Sequence, residues 1–83
     1  MLVHVRLFAR ARDLAAADVL HIELPDGATV ADLRCRLAAD HPPLAALLER
    51  SALAVEDEFA ADSLVLSTDT EVALLPPVSG GSG

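Results

Sequence analysis

The sequence predicts an α+β domain, a small mixed sheet with one main helix packed on one face. Three observations lead there. Two stretches near the N-terminus alternate with the period of a strand, Leu2 to Phe8 and Val19 to Leu24. One stretch, opened by Thr29 and closed by Pro42-Pro43, repeats apolar residues at helical spacing. A last apolar run, Val72-Ala73-Leu74-Leu75, stops at Pro76-Pro77, two residues with φ held near −65° and no N–H to continue a sheet.

In the first strand Val3, Val5 and Leu7 point one way, while Leu2, His4, Arg6 and Phe8 point the other. Ala9 to Asp18 reads as a polar, alanine-rich connection with room for a short helical turn. In the second strand Leu20, Ile22 and Leu24 alternate with His21 and Glu23. Pro25-Asp26-Gly27 has turn chemistry. Thr29 with Asp32 three residues on resembles a capping box, and Val30, Leu33 and Leu37 make the buried stripe of the main helix, with Arg36 and Asp40 toward water. Leu44 to Arg50 reads as a second, shorter helix. Leu53 and Val55 begin a short strand, Glu56-Asp57-Glu58 is a polar turn, and Phe59 returns as an apolar residue. Leu64 to Leu66 is brief and apolar, Ser67 to Thr70 turns the chain, and Glu71 to Leu75 is the final strand. Strands 1 and 2 pair as a hairpin and the helix carries the chain across the sheet. That order is the layout of a β-grasp, ubiquitin-like domain.

Eighty-three residues make one domain. The apolar fraction of 53% includes sixteen alanines, so the core is modest and leaves little room for an enclosed substrate pocket. The net charge is −7, from thirteen acids against six arginines and no lysine. This argues against a nucleic-acid partner, which needs clustered cations, and favours a partner with a basic surface. The single cysteine cannot form an internal disulfide. The N-terminus lacks a signal-peptide pattern, and no apolar run approaches the ~20 residues of a membrane span. A cytoplasmic protein is expected, without nucleic-acid or membrane binding.

Side chains for catalysis are scarce. His4 and His21 could face one another across the hairpin, but two histidines lack further metal ligands, and a surface pair is the expectation; no metal site is assigned. Cys35, between Arg34 and Arg36, reads as an inert, partly buried thiol. Glu56, Asp57, Glu58 and Asp62 read as a solvated acidic loop. Without a phosphate-binding loop or a Ser-His-Asp pattern, any chemistry belongs at the C-terminus. There a stiff proline root leads to a bare Gly80-Gly81 pair suited to threading into a partner's channel. The organisation expected is a β-grasp domain over residues 1–77 and a flexible tail over residues 78–83.

The run Glu71-Val72-Ala73-Leu74-Leu75-Pro76-Pro77-Val78-Ser79-Gly80-Gly81 resembles the C-terminal signature of the molybdopterin synthase small-subunit family, sulfur carriers of the ubiquitin-like β-grasp group. Val5-Arg6-Leu7-Phe8-Ala9-Arg10-Ala11-Arg12-Asp13-Leu14 is similar to that family's first strand and following loop. Pro25-Asp26-Gly27-Ala28-Thr29-Val30-Ala31-Asp32-Leu33 is similar to its strand-to-helix turn. The resemblance implies a carrier whose Gly81 carboxylate, with Gly80 beside it, is adenylated by an activating enzyme using ATP and then converted to a thiocarboxylate. It implies sulfur donation to cyclic pyranopterin monophosphate inside a large synthase subunit, in a heterotetramer. No cofactor is implied for this chain; ATP is consumed by the activating partner. Phe8, Phe59 and Leu75 fall at positions of a partner-binding apolar patch, Arg12 at a basic position near it, and Pro76, Pro77, Val78 and Ser79 on the inserted arm.

Three features depart from the family pattern. Glu56 stands where the family commonly has asparagine. Ser67-Thr68-Asp69-Thr70 replaces a glycine-containing hairpin. Ser82-Gly83 extends past the Gly-Gly pair by roughly 7 Å of chain, so activation at Gly81 requires their removal. Two alternatives stay open at this level. One is another β-grasp sulfur carrier, serving thiamine synthesis, tRNA thiolation or protein conjugation; the other is a ubiquitin-like binding module without sulfur chemistry.

Overall fold

The computed structural model describes residues 1–76. The expectations for Pro77, Val78, Ser79, Gly80, Gly81 and the tail boundary lie outside the described residues.

The elements run β1 (Leu2–Leu7), α1 (Ala9–Ala15), β2 (Val19–Glu23), α2 (Val30–Asp40), a 3₁₀ turn (Pro42–Leu44), α3 (Ala45–Leu48), β3 (Ala52–Val55), β4 (Glu58–Phe59) and β5 (Glu71–Leu75). They form one five-stranded sheet in the order β2-β1-β5-β3-β4. β1 and β5 are parallel and the other pairs antiparallel. The first and last strands of the described chain thus lie side by side within the sheet, and the predicted mixed sheet is present.

Alternation assigns the two faces. Val3, Val5 and Leu7 of β1, Leu20 and Ile22 of β2, Leu53 of β3, and Val72 and Leu74 of β5 are buried against Val30, Leu33 and Leu37 of α2. Leu44 and Leu48 close the end of this core. Removal of these apolar surfaces from water is the main stabilising term.

The start of α2 is secured twice. Asp32 N–H donates to Thr29 Oγ1 at 3.3 Å and Thr29 N–H to Asp32 Oδ2 at 2.9 Å, so the capping box forms with aspartate in place of the usual glutamate. The loop before β5 then satisfies two more orphan donors, Val30 N–H giving to the Leu64 carbonyl and Ala31 N–H to the Asp62 carbonyl, both at 3.0 Å. Val65 bridges Thr29, Leu66 is buried, and Leu64 stays partly exposed. The brief apolar run is therefore a clasp on the helix start and no sheet strand.

Several expectations are corrected. The Ala9–Asp18 connection contains a seven-residue helix, α1, whose Ala11 is fully buried. The helix predicted over Leu44–Arg50 is a 3₁₀ turn followed by a single α turn, because Pro42 and Pro43 fit the first positions of a helical turn and so begin this segment as well as ending α2. Cys35 is exposed, not partly buried: at about 100° per residue it points away from the Leu33–Leu37 stripe. Asp62 is exposed, as expected, and also meets a neighbour. Its Oδ1 lies 3.5 Å from the Arg34 guanidinium, which also donates to the Leu48 carbonyl and, at 3.0 Å, to the Ser51 carbonyl, tying α2 to the end of α3.

Candidate functional site

The helices cover one face of the sheet and leave the other open. By register the open face carries Leu2, His4 and Arg6 from β1, Val19, His21 and Glu23 from β2, and Glu71, Ala73 and Leu75 from β5. Ala52 and Ala54 of β3 and Phe59 of β4 complete it.

Its apolar centre is built by pairing. Ala54 lies opposite both Ala73 and Phe59. Continuing the β1–β5 register by one residue sets Phe8 beside Leu75. Phe59 is 78% exposed and Phe8 41%, while Leu75 and Pro76 are half-buried. The sequence-derived trio Phe8, Phe59 and Leu75 is therefore brought onto one face, at the point where β5 runs out into Pro76.

The short side chains of Ala54 and Ala73 leave a depression also bordered by Arg6, Phe8, Glu56, Asp57 and Glu71, with a volume of about 170 Å³. Small-molecule sites run to roughly 300–1,000 Å³. A cleft this shallow is suited to a protruding side chain of a partner rather than to an enclosed substrate.

Arg6 is the charged residue that sequence reasoning left out of the site. It sits in the middle of the open face, exposed, next to Ala73, and joins none of the ion pairs formed among the described residues. The available signal was an arginine on the outward set of β1, two residues before an outward phenylalanine. Arg12, which was assigned to the patch, lies on α1 and its Nε is 3.8 Å from Asp18 Oδ1, both side chains being mostly in water. Its attraction there is weak and readily exchanged for a partner's carboxylate. Glu56 Oε2 accepts from Glu71 N–H at 3.3 Å, so the acidic rim of the cleft is partly held in place by the start of β5. Cys35, on the far side of α2, takes no part.

Fold and face together define a ubiquitin-like β-grasp domain whose open face sets Phe8, Phe59 and Leu75 among polar and charged residues. The chain belongs to the ThiS family, whose model matches residues 5–81. Relatives named molybdopterin synthase sulfur carrier subunit are 34% identical over 79 residues in Arabidopsis thaliana, covering 95% of this chain and 82% of the relative. In Chlamydomonas reinhardtii the figure is 35% over 83 residues, covering 98% and 100%. Among solved structures, SAMP1 from Haloferax volcanii superposes with a TM-score of 0.87 at 27% identity, covering 98% of this chain and 100% of that one. A chain from the complex of subunits 1 and 2 of molybdopterin-converting factor from Helicobacter pylori superposes with a TM-score of 0.70 at 26% identity, again covering 98% and 100%.

Proposed function

We propose that this chain is the sulfur carrier subunit of a molybdopterin synthase, acting in the cytoplasm and donating sulfur from a thiocarboxylate on Gly81 to cyclic pyranopterin monophosphate. Full-length similarity to relatives of that name supports the reading. The observation that carries it is the exposed Phe8 and Phe59 on the open face of the sheet, with Phe8 beside Leu75 at the end of β5. A partner gripping Phe8, Phe59 and Leu75 holds the root of the arm and so directs its tip.

The chemistry follows from the residue types. A carboxylate is a poor electrophile; adenylation by an ATP-dependent partner gives the Gly81 acyl carbon a good leaving group. A thiocarboxylate keeps its negative charge and is the softer nucleophile. Glycines at 80 and 81 let the backbone pass a constriction that a Cβ would block. The partner for transfer is a large synthase subunit, consistent with the Helicobacter pylori subunit 1–subunit 2 complex. The family's heterotetramer is the assembly proposed here too.

A second reading, protein conjugation through the same terminus, is favoured by the likeness to SAMP1, the small archaeal modifier protein. Reconstitution separates the two. With activating enzyme, ATP, a sulfur source and large subunit, the chain ending at Gly81 should convert cyclic pyranopterin monophosphate to the dithiolene. Gly81→Ala should lose that conversion while keeping the far-UV spectrum of the folded domain. Conversion by the variant at the normal rate contradicts the proposal, and covalent attachment to lysines without dithiolene formation supports the second reading.

A further inference from the structure

We propose that His4 and His21 form a surface binding site for a divalent late transition-metal cation such as zinc, nickel or copper, held through their two Nδ1 atoms. The site is independent of the sulfur-carrier reading. It lies on the β1–β2 half of the open face, two strands from β3 and its partner Phe59.

His4 and His21 are directly opposite in the antiparallel register. Their Nδ1 atoms are 2.8 Å apart, and the rings meet edge to face with centroids 4.9 Å apart. One imidazole therefore donates its proton to the other's lone pair, and that proton occupies the place a cation would take. Two metal–nitrogen bonds of about 2.0–2.1 Å at an angle of about 90–110° need roughly 2.9–3.4 Å between the nitrogens. Opening the pair by a few tenths of an ångström is enough, and side chains at the surface can rotate that far; His4 is 31% exposed.

The surroundings prepare the pair for a cation. Asp69 Oδ1 lies 3.6 Å from His4 Nε2, so its charge favours the tautomer with the proton on Nε2 and leaves Nδ1 as a free donor. Glu71 is the neighbour of His4 on β5, and Glu23 shares the open face with His21. In a chain of net charge −7, these carboxylates add to a potential that attracts cations. Two imidazole nitrogens select zinc, copper or nickel over magnesium or calcium. Among the described residues no cluster of three or more ligating side chains exists. The remaining coordination positions therefore belong to water or to an incoming donor, which makes the site open and exchangeable rather than structural.

Zinc titration of the full isotope-labelled chain, followed by its histidine ring resonances, tests this. His4 and His21 should shift together and saturate at one equivalent, while His41, beyond the end of α2, responds only at higher zinc; magnesium should move none of the three. His4→Ala and His21→Ala, both surface changes that keep the folded spectrum, should each weaken zinc binding by about tenfold or more because the second donor's effective concentration is lost. A His41 response in step with the other two, or wild-type affinity in either variant, overturns the proposal.

Discussion

Phe59 is the residue at which packing and function separate most cleanly. Its ring is 78% exposed on a strand of only two residues, so it adds little to the core. Phe59→Ala should leave stability within about 0.5 kcal/mol of wild type in a urea titration. If the open face docks on the large subunit, the same change removes an exposed aromatic anchor and should weaken that complex by about 1–2 kcal/mol or more, read by calorimetry. Unchanged affinity would remove Phe59 from the interface. Its place on the patch came from the family resemblance, since nothing local separates an outward phenylalanine after a turn from one that closes the core edge. Arg6 was harder to place: alternation put it on the outward set, but only the β1–β5 pairing, a long-range fact, sets it beside Ala73. The exposure of Cys35 was legible in the helical period and was obscured by its two arginine neighbours. Arg34 turns inward to α3, and Arg36 pairs with Asp40 at 3.0 Å.

Among the elements, the β3–β4 connection is the most strained. Glu56 and Asp57 both have positive φ, 52° and 70°, so the two-residue loop has the backbone of a type I′ turn without the Asn-Gly pair that such turns favour. Asp57→Gly should raise stability by about 0.5–1 kcal/mol, seen as a higher urea midpoint at unchanged slope. A lower midpoint would mean that the Asp57 side chain contributes more than its backbone costs. Glu56 thus sits at a turn position with positive φ. Helix α1 was not legible in the same way. It lacks a side-chain cap, and Phe8 precedes it in an extended conformation. A helix of seven residues has little stability of its own, and the burial of Ala11 supplies what local sequence does not. By contrast α2 announced itself, because a cap, a stripe and a terminating proline pair agree.

At the scale of the whole molecule, the sheet is built around the pairing of the first strand with the last. β1 and β5 are parallel neighbours inside the sheet, so the end of β5 at Leu75 sits beside Phe8 at the end of the first strand. The architecture was legible because each turn signal fell between periodic segments; the strand order was not, since it depends on pairings across most of the chain. The open face followed from the strand periods once that order was known. No helix among the described residues is long and apolar enough to cross a membrane. The central claim is that Gly81 carries sulfur, and intact-mass measurement of the protein isolated from its own cell tests it most directly. The predicted result is a species ending at Gly81 and heavier than the free acid by the difference between one sulfur and one oxygen atom. A chain retaining Ser82-Gly83 with no added mass, in cells making the cofactor, would contradict it.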